Sequence, residues 1–236
     1  MREIIPAIMP SDYDDLRDKV RKVRDHVELV QVDIMDGKFV ASQSWPYNSG
    51  GTKGDKEFSS LMAQEEGLPY WDQVDYEFDL MIQEPEKHID EWLPLGASRL
   101  IFHIESILDK DHFFRGDLFD KESRSIGDDT VVEIGLAINP DTPLSEIEPY
   151  IPQVDFVQVM GIAKIGFQGQ PFDERALSHI NQLRVKYPEL IISVDGAVND
   201  DSIKLFESAG ADRFVSGSRI YSAEDIGEAI ATLQYD

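Results

Sequence analysis

The chain has no cysteine among its 236 residues, which excludes disulfides, thiolate metal ligands and a cysteine nucleophile together. It is also poor in positive charge: 22 Lys and Arg stand against 46 Asp and Glu, a formal net charge of −24. Such a surface repels nucleic acid and anionic membranes, so neither is expected as a partner. A phosphorylated ligand would have to be held by backbone N–H groups or by a metal. Long apolar runs are missing too. None approaches the roughly 18 residues of a membrane span, and the opening "MREIIPAIMP" lacks the charged-then-apolar layout of a secretory signal. A cytoplasmic location is expected.

What is present is a recurring alternation. Short apolar runs occur at 3–9 (EIIPAIM), 29–35 (LVQVDIM), 75–81 (DYEFDLM), 99–105 (RLIFHIE), 131–138 (VVEIGLAI), 156–162 (FVQVMGI), 190–196 (LIISVDG) and 213–218 (RFVSGS). Between them, segments such as 14–27 and 173–187 carry apolar residues at three- and four-residue spacing, with Asp173 and Asn199 as helix-start residues. Strands alternating with helices imply βαβ units and a parallel sheet. Eight units in this length predict a (β/α)8 TIM barrel, with a doubly wound open sheet as the alternative. Hydrophobic residues at 42% and charged residues at 29% suit a globular chain. No linker interrupts it, so 1–236 is expected to form one domain with a long loop after the second strand, about 41–72. That loop is rich in Gly and Ser, with Trp45, Pro46 and Tyr47 as candidate anchors.

Period-two counting places Gln31, Asp33 and Met35 on one face of strand two, and Glu77, Asp79 and Met81 on one face of strand three. The same count groups His103 with Glu105, Gln158 with Met160, and Ser193 with Asp195. The alternate positions are apolar, so the polar set is expected to look into the barrel. Asp33, Asp79 and Asp195 then reach the C-terminal rim, where barrel enzymes carry their chemistry. Three converging carboxylates would bind a divalent cation, pair with His103, or take up protons through mutual repulsion. Met35, Met81 and Met160 beside them suggest an apolar floor next to a substrate. Three glycine-bearing segments follow the last strands: 165–172 (IGFQGQPF), 194–199 (VDGAVN) and 216–221 (SGSRIY). Glycine lets backbone N–H groups approach an anion, and barrels often hold phosphate at these loops.

The segments IIPAIM, VDIMDGKFV, FDLMI, HIES, GLAINPDTP, GFQGQPF, VDGAVN and SGS, from about residue 4 to about 221, resemble the ribulose-phosphate 3-epimerase family in order and spacing. The resemblance implies a barrel that inverts one carbon of a ketose phosphate. Asp33 and Asp195 match the two proton-transferring aspartates, acting through an enediolate. It implies a divalent metal at Gln31, Asp33, Asp79 and Asp195. Substrate contacts are implied at Met35, Met81, His103, Met160, Gly166, Phe167, Gly169, Gln170, Gly196, Ala197, Gly217 and Ser218. The family's range of metals covers Mg, Mn, Fe, Zn and Co. It is usually oligomeric, so a homo-oligomer is expected.

Several positions depart from the pattern. Gln31 and Asp79 stand where the family has histidine ligands, Ala7 and Pro10 where it has serines, and Gln168 and Ala197 where it has glycines. An all-oxygen ligand set favours Mg or Mn over Zn, or no metal at all. Two alternatives to the epimerase stay open. One is a non-catalytic sugar-phosphate binder. The other is an aldolase or decarboxylase of the ribulose-phosphate-binding barrel type, which would want a lysine among the inward-facing acids.

Overall fold

β-Branched and aromatic residues concentrate in eight short segments, and each becomes a strand in the computed structural model. The barrel strands are β1 (Glu3–Ile8), β2 (Leu29–Met35), β3 (Asp75–Met81), β4 (Arg99–His103), β5 (Glu133–Ile138), β6 (Phe156–Met160), β7 (Ile191–Asp195) and β8 (Arg213–Ser216). All are parallel and close into a barrel in the order β1-β8-β7-β6-β5-β4-β3-β2. The structure describes residues 1–48, 56–119, 125–126 and 130–235. Part of the long loop expected after the second strand, 49–55, therefore lies outside the described residues.

The apolar set of every strand faces outward into one continuous core shared with the helices, including Val32, Phe78, Phe102, Leu136, Val157, Val194 and Phe214. Ile5, Ala7, Leu29 and Val215 form a separate cluster, as do Ile101, Ala137, Phe156 and Ile191. These belong to the alternate, inward set. The split into separate clusters is what a closed barrel requires, because the sheet stands between the two sets.

The covering helices are α1 (Tyr13–Val23), α2 (Lys56–Met62), α3 (Ile89–Trp92), α4 (Lys110–Phe113), α5 (Arg175–Lys186), α6 (Ser202–Ala209), α7 (Ser218–Tyr221) and α8 (Ile226–Tyr235). α1 starts where the Asp12 side chain accepts the Asp15 N–H, with Asp14 and Asp15 in its first turn and Arg21 and Lys22 in its last. The helix read at 14–27 thus ends earlier, and the one at 173–187 spans 175–186. Asn199 accepts the N–H groups of Asp201 and Ser202, just ahead of α6. The β3–β4 connection has only α3 between two 3₁₀ turns, and the β5–β6 connection only 3₁₀ turns. Pro85, Pro94 and Pro152 sit in those turns and cannot supply the N–H a longer helix needs.

Trp45 is fully buried and packs on Tyr13 and Phe58, and Phe58 in turn on Trp92. Tyr47 is buried as well. The start of the β2 loop is therefore anchored to the barrel wall.

Candidate functional site

Register determines which side chains meet. Asp33 pairs directly with Asp79, and Met35 with Met81; Met160 pairs with Asp195. The three acids end up at one depth, with a ligand oxygen from each lying within 4.8 Å of the others. Gln31, one layer below, donates from Nε2 to Asp33 Oδ1 at 2.8 Å and to Asp195 Oδ2 at 3.0 Å. Its Oε1 is buried and has no partner among the described residues. Asp79 is held from two sides: His103 Nε2 lies 3.1 Å from Oδ1, and Gln158 Nε2 donates to Oδ2 at 3.2 Å. Ser193 continues the chain with a 3.4 Å bond to Gln158 Oε1.

Charge crowding sets the protonation of this group. Burial, with the neighbouring Asp195 and Asp79 charges, pushes the Asp33 carboxyl well above the ordinary carboxylate range. Burial and Asp79 raise Asp195 to about 7. Burial alone would lower His103, but Asp79 and Glu105 raise it to about 10, so it stays an imidazolium at neutral pH. Glu105 lies 3.8 Å from His103 Nδ1 and accepts the Asn139 N–H at 2.8 Å. Despite burial, those contacts hold its carboxyl below the usual value.

Above the acids opens a cleft. Of the residues singled out in the sequence, it brings together Asp33, Asp195, Met81, Met160, Gly166, Phe167, Gly169, Gln170, Gly196, Ala197, Gly217 and Ser218. Gln31, Asp79 and His103 do not line it; all three are fully buried. Met35 is packed with Val40 and Met81 behind the cleft. Sequence reasoning missed Met9, Ile162, Val198 and Val215, which also line it. Val215 was legible as the inward partner of Asp195. Met9, Ile162 and Val198 lie beyond strand ends, where alternation gives no signal.

The loop after β2 is tied to the site by one carboxylate. Asp36 Oδ1 accepts the N–H groups of Lys38 and Phe39, and its Oδ2 accepts that of Gln83 beyond β3. In the β7 loop, Gly196 and Ala197 both adopt left-handed backbone, at φ +98° and +55°.

The oxygen-only donor set, the close approach of three carboxylates and the orphaned Gln31 Oε1 all fit a hard divalent cation. An amide turned through 180° would present that oxygen to the position now faced by Nε2.

A family model described as "Ribulose-phosphate 3 epimerase family" matches residues 3–221. Curated relatives include a ribulose-phosphate 3-epimerase, cytoplasmic isoform, from Oryza sativa subsp. japonica. It is 31% identical, over 98% of this chain and 92% of that protein. A ribulose-phosphate 3-epimerase from Schizosaccharomyces pombe is 29% identical over the same shares. Among solved structures, a 3-hexulose-6-phosphate synthase superposes with a TM-score of 0.66, covering 99% of this chain and 98% of that one. At 16% identity it shows the fold alone. Among the described residues, no helix is long and apolar enough to cross a membrane.

Proposed function

The chain belongs to the ribulose-phosphate 3-epimerase family, and we propose that it interconverts two epimers of a ketopentose phosphate by proton transfer between Asp33 and Asp195. One observation carries this reading: both carboxyls face a single cleft, each bonded to the same Gln31 Nε2, at 2.8 and 3.0 Å. Epimerisation needs a base on one face of a planar intermediate and an acid on the other. Two acids whose titrations are pushed up by burial and by neighbouring carboxylates supply one of each near neutral pH.

The ionised carboxylate removes the proton from the substrate carbon next to the carbonyl, leaving an enediolate. The protonated partner returns a proton to the opposite face of the same carbon. After one turnover the two acids have exchanged protonation states, and exchange with solvent resets them. The Gln31 amide holds both carboxyls in place throughout. Met81 and Met160 give the reacting carbon an apolar floor that keeps bulk water from protonating it at random. The glycine-bearing loops at 166–169, 196–197 and 217–218 receive the phosphate.

Gln31, Asp33, Asp79 and Asp195 would hold a divalent cation, with magnesium or manganese favoured by the donor set. When bound, it would supply Lewis-acid stabilisation of negative charge on the substrate oxygens. The aldolase and decarboxylase reading wants a lysine among the acids. Lys164, which follows β6, is exposed, with its ammonium 4.3 Å from the centre of the Phe167 ring. A pure binder would have little use for two buried acids at one cleft.

The test is turnover of ribulose 5-phosphate in D₂O with added manganese. The wild-type chain should place deuterium at the epimerised carbon. Asp33→Asn and Asp195→Asn should each lower kcat by about 10³ or more, with phosphate affinity changed only a few-fold. Activity surviving in either variant would overturn the two-acid mechanism. A wild-type chain that binds phosphate but never exchanges the proton would leave the binder.

A further inference from the structure

We propose that Gln168 is a ligand to the substrate phosphate, an inference that rests on the sugar-phosphate reading above. The cleft must accept a dianion, yet among the described residues lining it there is no lysine or arginine, and Asp33 and Asp195 share the space. In a chain of net charge −24 no long-range field offsets that. Neutral donors therefore carry much of the binding, and Gln168 is one side chain, beside Gln170 and Ser218, placed to add to those of the backbone.

Its carboxamide extends from the β6 loop across the end of β8. Nε2 lies 3.4 Å from the Ala7 carbonyl oxygen, a long and weak contact. The same atom lies 2.6 Å from where a Cβ on residue 217 would stand. Gly217 has φ −101°, which any residue can adopt, and a Cβ there would meet the end of the Gln168 side chain first and the Ala7 carbonyl oxygen at 3.1 Å. The amide thus rests against bare backbone in one of the glycine segments assigned to phosphate. Glycines 166 and 169, at φ +82° and +69°, bracket the turn that aims it there.

Nε2 carries two N–H groups, and the Ala7 carbonyl engages one of them poorly. A phosphate oxygen is a charged acceptor and a better partner. Binding would transfer the amide from Ala7 to the ligand with a small side-chain rotation. Gln168 is exposed at the mouth of the cleft, so its replacement should not disturb the core.

The experiment compares wild type, Gln168→Ala and Gln168→Glu in steady-state turnover of ribulose 5-phosphate and in titration with inorganic phosphate. Loss of a hydrogen bond to a charged acceptor should raise KM about 10-fold in the alanine variant, with a much smaller change in kcat. The glutamate variant keeps the shape but exchanges a donor for a negative charge, so its KM should rise about 100-fold. Inorganic phosphate should weaken in the same order. An alanine variant with unchanged or lower KM would overturn the inference, showing that the amide merely fills space. A wild-type chain that neither binds phosphate nor turns over would instead overturn the underlying reading of the site.

Discussion

His103 Nε2 lies 3.1 Å from Asp79 Oδ1, and neither side chain has any exposure to solvent. The pair places a fixed positive charge beneath three acids. Removing one partner of a buried pair leaves the other uncompensated, at about 3–5 kcal/mol. His103→Gln should therefore lower stability by that order without added metal, measured by chemical denaturation. Added manganese should narrow the deficit, because the cation supplies the missing charge.

Gln31 and Asp79 stand where the family resemblance places histidines, and this difference is expected to govern metal choice. The present site offers only oxygen donors, suited to magnesium or manganese. The double variant Gln31→His, Asp79→His introduces two imidazoles, which favour zinc. Elemental analysis after exposure to equimolar manganese and zinc should show a manganese-to-zinc ratio about 10-fold or more higher in wild type than in the variant. An equal ratio in both would mean that these two positions do not set selectivity.

The barrel was legible because its strands alternate with a period of two, with apolar residues outside and, towards the ends of β2, β3 and β7, polar residues inside. Asp33, Asp79 and Asp195 could be placed at one rim from that period alone. The short 3₁₀ connections after β3 and β5 were not legible as such, since apolar residues around Pro85, Pro94 and Pro152 mimic a helical repeat. Nor could alternation show that Gln31 bridges Asp33 to Asp195, because β2 and β7 are not neighbours and the contact crosses the barrel interior. The family pattern marked Gln168 as a departure, but only the structure shows its amide against Gly217 and Ala7.

Ala197 occupies left-handed backbone at φ +55°, a conformation that costs a residue with a Cβ roughly 1–2 kcal/mol. Ala197→Gly should remove that cost, offset in part by the greater freedom of glycine in the unfolded chain. The net expectation is a stabilisation of up to about 1 kcal/mol, read from urea unfolding. Because the residue lines the cleft, phosphate affinity should hold or improve. A destabilised variant would show that the alanine methyl packs usefully.

At the opposite end of the barrel, Arg99 reaches Glu77, Glu3 and Glu133 at 3.2, 3.1 and 3.0 Å, and Arg213 contacts the last two at 3.3 and 3.2 Å. Glu77 is the one acid of this network that is sealed from solvent, and its Oε1 has no partner among the described residues. Burial raises its carboxyl to about 7 despite Arg99. A folded-state value above the unfolded one near 4.5 means that the native chain binds this proton more tightly. Its contribution to stability is then complete below pH 4.5 and is lost as pH rises through 7. Glu77→Gln removes the titration and leaves Arg99 with Glu3 and Glu133, so the cation is not stranded. The variant's stability should fall less than that of wild type between pH 5 and pH 8, by a few kcal/mol at most. Denaturation at both pH values checks this. Parallel losses in the two proteins would place the Glu77 proton elsewhere, with Arg99 keeping the carboxylate ionised throughout.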